Sequence, residues 1–251
     1  MSLLQTLRFA AARRWQEHKF RELERRGFRR VRNPLRAGES VLVVGSGASA
    51  SAEAVAAVAG DYDTVVTMNN ARLTAPDADI HCIEFAYRHP EVFEAQCEVL
   101  PALAYDRAVI KPLSVTTLSD EQISRLQSIW KEHGGGHPPA FLHHYQIRGV
   151  LAASRPAMMV SRDRDPYQWR GSLTVWLDMA WLAGVSRVGL IGTDLGTLNA
   201  DGSFDQHLTN RNFHGEPGVL GILETLRKAG YLDGIAFDHH HHNDVLKNLL
   251  T

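Results

Sequence analysis

The chain has 251 residues, 44% hydrophobic, 22% charged and 8% aromatic. This balance excludes disorder, collagen and coiled coil and fits one globular domain with or without a short appendage. No run approaches the roughly 20 apolar residues of a membrane-spanning helix. The two cysteines, Cys82 and Cys97, lack CxxC spacing, which argues against a disulfide scaffold or a cysteine zinc module and for a reducing, cytoplasmic setting. The formal net charge of −1 hides an asymmetry: residues 1–39 carry eleven Lys+Arg against four Asp+Glu, leaving 16 basic and 24 acidic residues for the rest. The expected organisation is a basic leader over 1–39 and a single main domain over 40–251.

In the leader, Ser2 followed by Gln5 reads as a capping box. Leu4, Leu7, Ala11 and Trp15 recur at helical spacing, while Arg13, Arg14, Arg21, Arg25 and Arg26 sit mostly off that stripe. A basic amphipathic helix is expected over Gln5 to Arg26, ended by Gly27. It is not a secretory signal, because it lacks a 7–15-residue apolar run. Three readings stand side by side. The helix packs on the domain or a neighbouring subunit, it contacts an anionic membrane face peripherally, or it binds nucleic acid. The last lacks an aromatic-interleaved basic patch, so no nucleic-acid partner is expected.

The main domain opens with a strand at Ser40–Val44, the glycine turn Gly45-Ser46-Gly47-Ala48-Ser49, and an alanine-rich helix to Ala59. Strands follow at Asp63–Met68, Ile80–Phe85 and Arg107–Lys111. Helices are expected from about Pro90 to Leu100 and over Ser119–Lys131, the latter with a Ser119/Gln122 capping box. Residues 132–171 are harder to read: Phe141–Ile147 is strand or helix, and Ala157–Val160 reads as a short strand. Ser172–Ala183 is an apolar helix closed by Gly184, Arg187–Ile191 a buried strand closed by Gly192-Thr193-Asp194. A helix over Glu216–Ala229, a strand at Gly234–Phe237 and a helix at Asn243–Leu250 end the chain. Strands alternating with helices predict an α/β fold, a Rossmann-like, mostly parallel sheet with helices on both faces, preceded by the basic helix.

Gly45-Ser46-Gly47 between strand and helix is half of a dinucleotide fingerprint, where free amides favour an anion, or a plain tight turn. No acidic residue closes the second strand; Asn69 and Asn70 stand there, which argues against NAD. Asp194, at another strand end, either binds a sugar hydroxyl or caps its turn. Ligands of open α/β sheets bind outside the carboxyl ends of strands, so both turns are expected on one crevice. Among thirteen histidines, His214 lies on a polar loop before a helix and is a candidate general base. His239–His242 reads as a solvated run, since four consecutive imidazoles cannot all face one ion. No HExxH, DxD or P-loop lysine is present.

Several segments together resemble the bacterial sialyltransferases that modify lipooligosaccharide and capsule, glycosyltransferase family 42. Val41–Ser49 is similar to the opening strand and glycine turn, Thr67-Met68-Asn69-Asn70 to the second strand with its nucleotide-contacting asparagine. Phe85–Glu94 is similar to an aromatic-proline segment. Arg170-Gly171-Ser172 through Asp194 is similar to the arginine–serine turn, apolar helix and Gly-x-Asp strand end. Ser46 replaces an asparagine, His89 or Arg88 stands before Pro90, and Leu195, Gly196, Ser203 and Phe204 fill the region of two phosphate-holding tyrosines.

The resemblance implies a GT-A-variant fold and metal-independent, inverting transfer of a sialic-acid-like sugar from CMP to a cell-envelope glycan. No cofactor beyond the CMP-sugar donor substrate is implied. His214 would be the base and Arg170 a phosphate donor. Gly45, Ser46, Gly47, Ser49, Asn69, Ser172 and Asp194 would form the nucleotide site. The partners implied are the donor, the glycan acceptor and further copies of the chain, since the family tends to associate. A different nucleotide sugar, an inactive nucleotide-binding assembly protein, and the more loosely similar archaeal-type pterin pyrophosphokinases are the alternatives.

Overall fold

The computed structural model describes residues 3–85, 89–98, 100, 105–198, 204–206 and 218–251. From the amino terminus the elements run α1 (Leu3–Arg25), β1 (Arg29–Val31), β2 (Ser40–Val44), α2 (Ala52–Ala59), β3 (Thr64–Met68), a 3-10 turn (Asn69–Leu73) and β4 (Ile80–Ile83). They continue as α3 (Pro90–Glu98), β5 (Ala108–Ile110), α4 (Pro112–Thr116), α5 (Asp120–His133), β6 (Ala140–Leu142), β7 (Tyr145–Gln146), α6 (Gly149–Ser154), α7 (Pro156–Val160), β8 (Tyr167–Gln168) and α8 (Gly171–Ala183). The last are β9 (Arg187–Ile191), the hairpin strands β10 (Gly196–Leu198) and β11 (Phe204–Gln206), α9 (Val219–Arg227), β12 (Ala236–His240) and α10 (Asp244–Leu250).

The chain divides into two compact units, Met1–Arg32 with His81–Tyr145, and Asn33–Ile80 with Gln146–Thr251. Parallel strands run in the order β1-β6-β5-β4 in the first and β3-β2-β9-β12 in the second. Strands alternating with helices make this the expected α/β, Rossmann-like class.

In the first unit the Ser119/Gln122 capping box starts α5, which buries Ile123, Leu126, Ile129 and Trp130. Helix α1 packs through Phe20 and Leu23. The Phe20 ring lies 5.5 Å from Phe141 of β6 and 5.6 Å from Tyr145. The apolar stripe expected from its first half stays outside: Leu7 is 57% and Trp15 51% exposed. Both cysteines are free and buried, and burial pushes the Cys97 thiol up to about 12.

In the second unit β2 is buried on both faces, as a central parallel strand must be. Leu42 and Val44 join Val55 of α2, Ala71, Ala75 and Ile191 in one apolar cluster, while Val41 and Val43, alternate in the pleat, are equally buried. Helix α8 is buried almost all round and ends at Gly184 in the left-handed conformation. It carries one charge inward: Asp178, with no exposure, holds Arg164 through two contacts of 2.6 and 2.7 Å and accepts from Tyr231 Oη and the Tyr167 amide. Ala157–Val160 is helical rather than a strand, because Pro156 supplies a preset first helical position. The strand expected to end at Phe237 runs on to His240, since pairing with β9 continues through His240↔Ile191.

Removing one partner of a buried ion pair strands the other charge. Asp178→Ala should therefore lose about 3–5 kcal/mol of unfolding free energy in chemical denaturation; a midpoint and slope equal to those of the parent would refute this role.

Candidate functional site: a cavity at the strand ends

Strand β2 sits between β3 and β9. The chain leaves β2 toward β3 on one side and returns as β9 on the other, the arrangement that opens a crevice outside the strands' carboxyl ends. The turns after the two strands brace each other. Gly47 donates to Gly192 O at 2.8 Å, and the Gly192 amide donates to Ser49 Oγ at 2.8 Å. A Cβ at Gly45 would stand 2.2 Å from Gly192 O, one at Gly47 2.3 Å from Asp194 Oδ2, and one at Gly192 2.2 Å from Gly45 O. The glycines at 45, 47 and 192 are thus dictated first by turn-to-turn contact. The amides of Gly45, Gly47, Ser49 and Ala50 are engaged. Among the described residues those of Ser46 and Ala48 meet no acceptor.

A cavity of about 350 Å³ lies over these turns, lined by Gly45, Ser46 and Gly47, by Met68 and Asn69, by Arg170 to Leu173, by Gly192, Thr193 and Leu195, and by Val219. That volume suits a mononucleotide-sized ligand. Among the described residues Arg170 is the ionisable side chain on its wall, a guanidinium suited to an anionic ligand. Its rim is conformationally demanding: Asn69 (φ 54°), Gly171 (69°), Gly192 (65°) and Leu195 (54°) are all left-handed, and strain of this kind in non-glycine residues concentrates at functional sites.

Arg72, 2% exposed, fixes Asn69 by donating from Nη1 to the Asn69 carbonyl at 2.7 Å and to Asn70 Oδ1 at 3.3 Å. Burial lowers the guanidinium pKa. Asn69 Nδ2 reaches Ser172 Oγ at 3.3 Å, and among the described residues its buried Oδ1 has no partner. The hydroxyl of Thr193, 3% exposed, likewise has no partner among the described residues.

Asp194 lies behind the turn, wholly buried. Its Oδ2 accepts from Ser49 N at 3.0 Å and Ser49 Oγ at 2.9 Å; its Oδ1 accepts from the His242 amide at 2.7 Å. Asn243, the N-cap of α10, donates to the Asp194 carbonyl at 2.9 Å. The carboxylate therefore caps the turn, with both oxygens engaged by donors from within the protein. The histidine run, expected to be solvated, is built into this brace. The Asn243 amide donates to His241 Nδ1, which assigns the ring proton to Nε2, 3.1 Å from His239 Nδ1. Burial, then the neighbouring His239, pushes His241 down to about 4, and burial lowers His239 too.

No protein-family model and no curated protein matches the chain. Among solved structures it is similar to the MAf glycosyltransferase from Magnetospirillum magneticum AMB-1, at 14% identity and a TM-score of 0.48, over 86% of this chain and 33% of that one. The chain spans about a third of the length of that structure.

Of the expected site residues, Gly45, Ser46, Gly47, Asn69, Arg170 and Ser172 are brought together on the cavity wall. Ser49 and Asp194 stand one layer behind it. His214, Arg88 and Ser203 lie outside the described residues. His89 is exposed at the start of α3. Sequence reasoning missed Arg72, Thr193 and the His241–Asn243 strap. The i,i+3 spacing of Asn69 and Arg72 was the available signal for the first.

Gly47→Ala should cost about 1–3 kcal/mol, the usual range for overpacking, and should weaken ligand binding in the cavity; calorimetric unfolding of the variant checks the first and titration the second. The pH dependence follows from His241. Unfolded, it takes up a proton near pH 6.5; folded, only near 4, so the unfolded chain binds more protons between these values and stability falls as pH drops through that window. Melting temperature should decline from pH 7 to 4.5, and His241→Asn should flatten the curve; parallel curves for the two proteins would refute it.

Proposed function

We propose that the chain is a glycosyltransferase that moves a sialic-acid-like sugar from a CMP donor to a hydroxyl of a cell-envelope glycan. The observation that carries this reading is the cavity of about 350 Å³ at the strand ends, lined by Arg170 and by Ser46, whose amide meets no acceptor among the described residues. Among the described residues Asn69 Oδ1 is buried without a partner, so it favours a ligand that brings an N–H or O–H donor, which the amino group of cytosine can supply.

In this mechanism the departing CMP phosphate gathers negative charge as the sugar passes through an oxocarbenium-like state. Arg170, the Ser46 amide and Ser172 stabilise that charge with donors held in place before reaction. Ser172 also orients Asn69 (Nδ2 to Oγ, 3.3 Å). His214 removes the acceptor proton, and the protein donors alone carry the leaving group.

His214→Ala should keep CMP affinity while lowering transfer from CMP-sialic acid by about 10²–10⁴, the usual worth of a general base. Binding of CMP, UMP and AMP by calorimetry and product formation by chromatography check the two halves. Unchanged turnover removes the base assignment; tighter binding of UMP or AMP than of CMP removes the donor.

A further inference from the structure

Helix α1 sorts its side chains into two opposed faces. Phe20 and Leu23 are buried in the first unit. Leu7, Arg14, His18, Arg21 and Arg25 are all exposed and recur at spacings of seven, four, three and four, one continuous stripe on a helix of 3.6 residues per turn. Trp15, beside Arg14, is 51% exposed and Leu7 57%. The carboxylates of the helix are drawn elsewhere. Glu17 pairs with Arg30 at 3.0 Å, Glu24 with Arg30 at 2.9 Å, and Glu22 with Lys19 and Arg26 at 2.9 and 3.2 Å. On the outward stripe, Arg21 has a marginal 3.4 Å contact to the already committed Glu17. Among the described residues Arg14 and Arg25 meet no carboxylate. The stripe thus runs from an apolar amino-terminal half to a cationic carboxy-terminal half over about 27 Å.

We propose that this outward face of α1 docks on the surface of an anionic lipid bilayer. Leu7 and Trp15 enter the boundary between headgroups and acyl chains, and Arg14, Arg21 and Arg25 meet lipid phosphates. Large exposed apolar side chains interleaved with arginine on one face of a helix match an interface that is apolar on one side and negatively charged on the other. A second copy of the chain would bring the same cations and repel, and duplex nucleic acid would offer the phosphates but nothing for Leu7 and Trp15 to bury against. This inference is independent of the nucleotide-site reading, since none of these residues lines that cavity.

The test uses the full chain in flotation with phosphatidylcholine vesicles, with and without about a third phosphatidylglycerol. Binding should require phosphatidylglycerol and be released by 0.5 M salt, beyond the screening length of such contacts. Replacing Arg14, Arg21 and Arg25 together by Gln should weaken partitioning about a hundredfold. Leu7→Ala with Trp15→Ala should weaken it as well, and both variants should keep the parent's circular dichroism because the replaced side chains are exposed. Equal binding to neutral vesicles, no binding to either, undiminished binding by the arginine variant, a dimer lost in the Leu7/Trp15 variant, or preference for an oligonucleotide would each overturn the proposal.

Discussion

The carboxylate of Asp194 is the constraint on which the second unit's site depends. Three donors from two distant stretches converge on it: the amide and hydroxyl of Ser49, and the amide of His242. Only a side chain that accepts on both terminal atoms satisfies them; an amide in its place would point an NH₂ group at an N–H, and a hydroxyl would leave at least one donor stranded in a dry interior. Once the carboxylate is fixed, the glycines follow. The turn after β2 is drawn so close to the end of β9 that no Cβ fits at 45, 47 or 192. The glycine signature therefore records a contact between two turns of the same chain, while Ser46 lines the cavity.

A second constraint acts from the β3 side. Arg72 is a buried cation, and among the described residues it pairs with no carboxylate. Burying an uncompensated charge is unfavourable, and its return here is the left-handed conformation of Asn69, pinned through the carbonyl. Arg170 on the wall and Arg72 behind Asn69 thus place two guanidinium groups about the cavity. The same geometry explains why Asn69 Oδ1 lacks a partner: its backbone is locked by Arg72 and its Nδ2 is engaged by Ser172.

What was legible in the sequence was local. Ser40–Val44 and Arg187–Ile191 were bounded to the residue, because an apolar run closed by glycine leaves little choice of state or end. The Ser119 capping box and the Gly184 stop were equally plain. Three-residue β1, with two arginines in Arg29-Arg30-Val31, offered no periodicity; it is a strand because β6 pairs with it. The histidine strand was hidden for the same reason, since parallel pairing with β9 rather than propensity extends it. The cavity wall could be named from motif positions, but not the brace behind it. Asp194 to Ser49 spans 145 residues and His242 to Asp194 another 48, and pairings that distant leave no mark in local spacing.

Charge, too, is organised in space rather than along the chain. In the first unit Arg30 plays the part that Asp194 plays in the second. It lies 5.3 Å over the Phe20 ring and 5.7 Å over Phe141 while pairing with Glu17 and Glu24, and Tyr145 Oη donates to Glu17 at 3.0 Å. Burial opposes ionisation of Glu17, yet Arg30 and Tyr145 hold its carboxyl below the ordinary range. Two of the four acidic groups within residues 1–39 are thereby committed to one inward arginine, and Glu22 is committed to Lys19 and Arg26. The excess of basic residues in the leader is consequently not spread evenly: Glu17, Glu22 and Glu24 are each paired, while Arg14, Arg21 and Arg25 are exposed. A helix that neutralised itself by i,i+4 pairs around its whole circumference would show water a balanced surface. Here Glu17 and Glu24 turn to Arg30 while Glu22 pairs locally with Lys19 and Arg26, and Arg14 and Arg25 meet no carboxylate among the described residues.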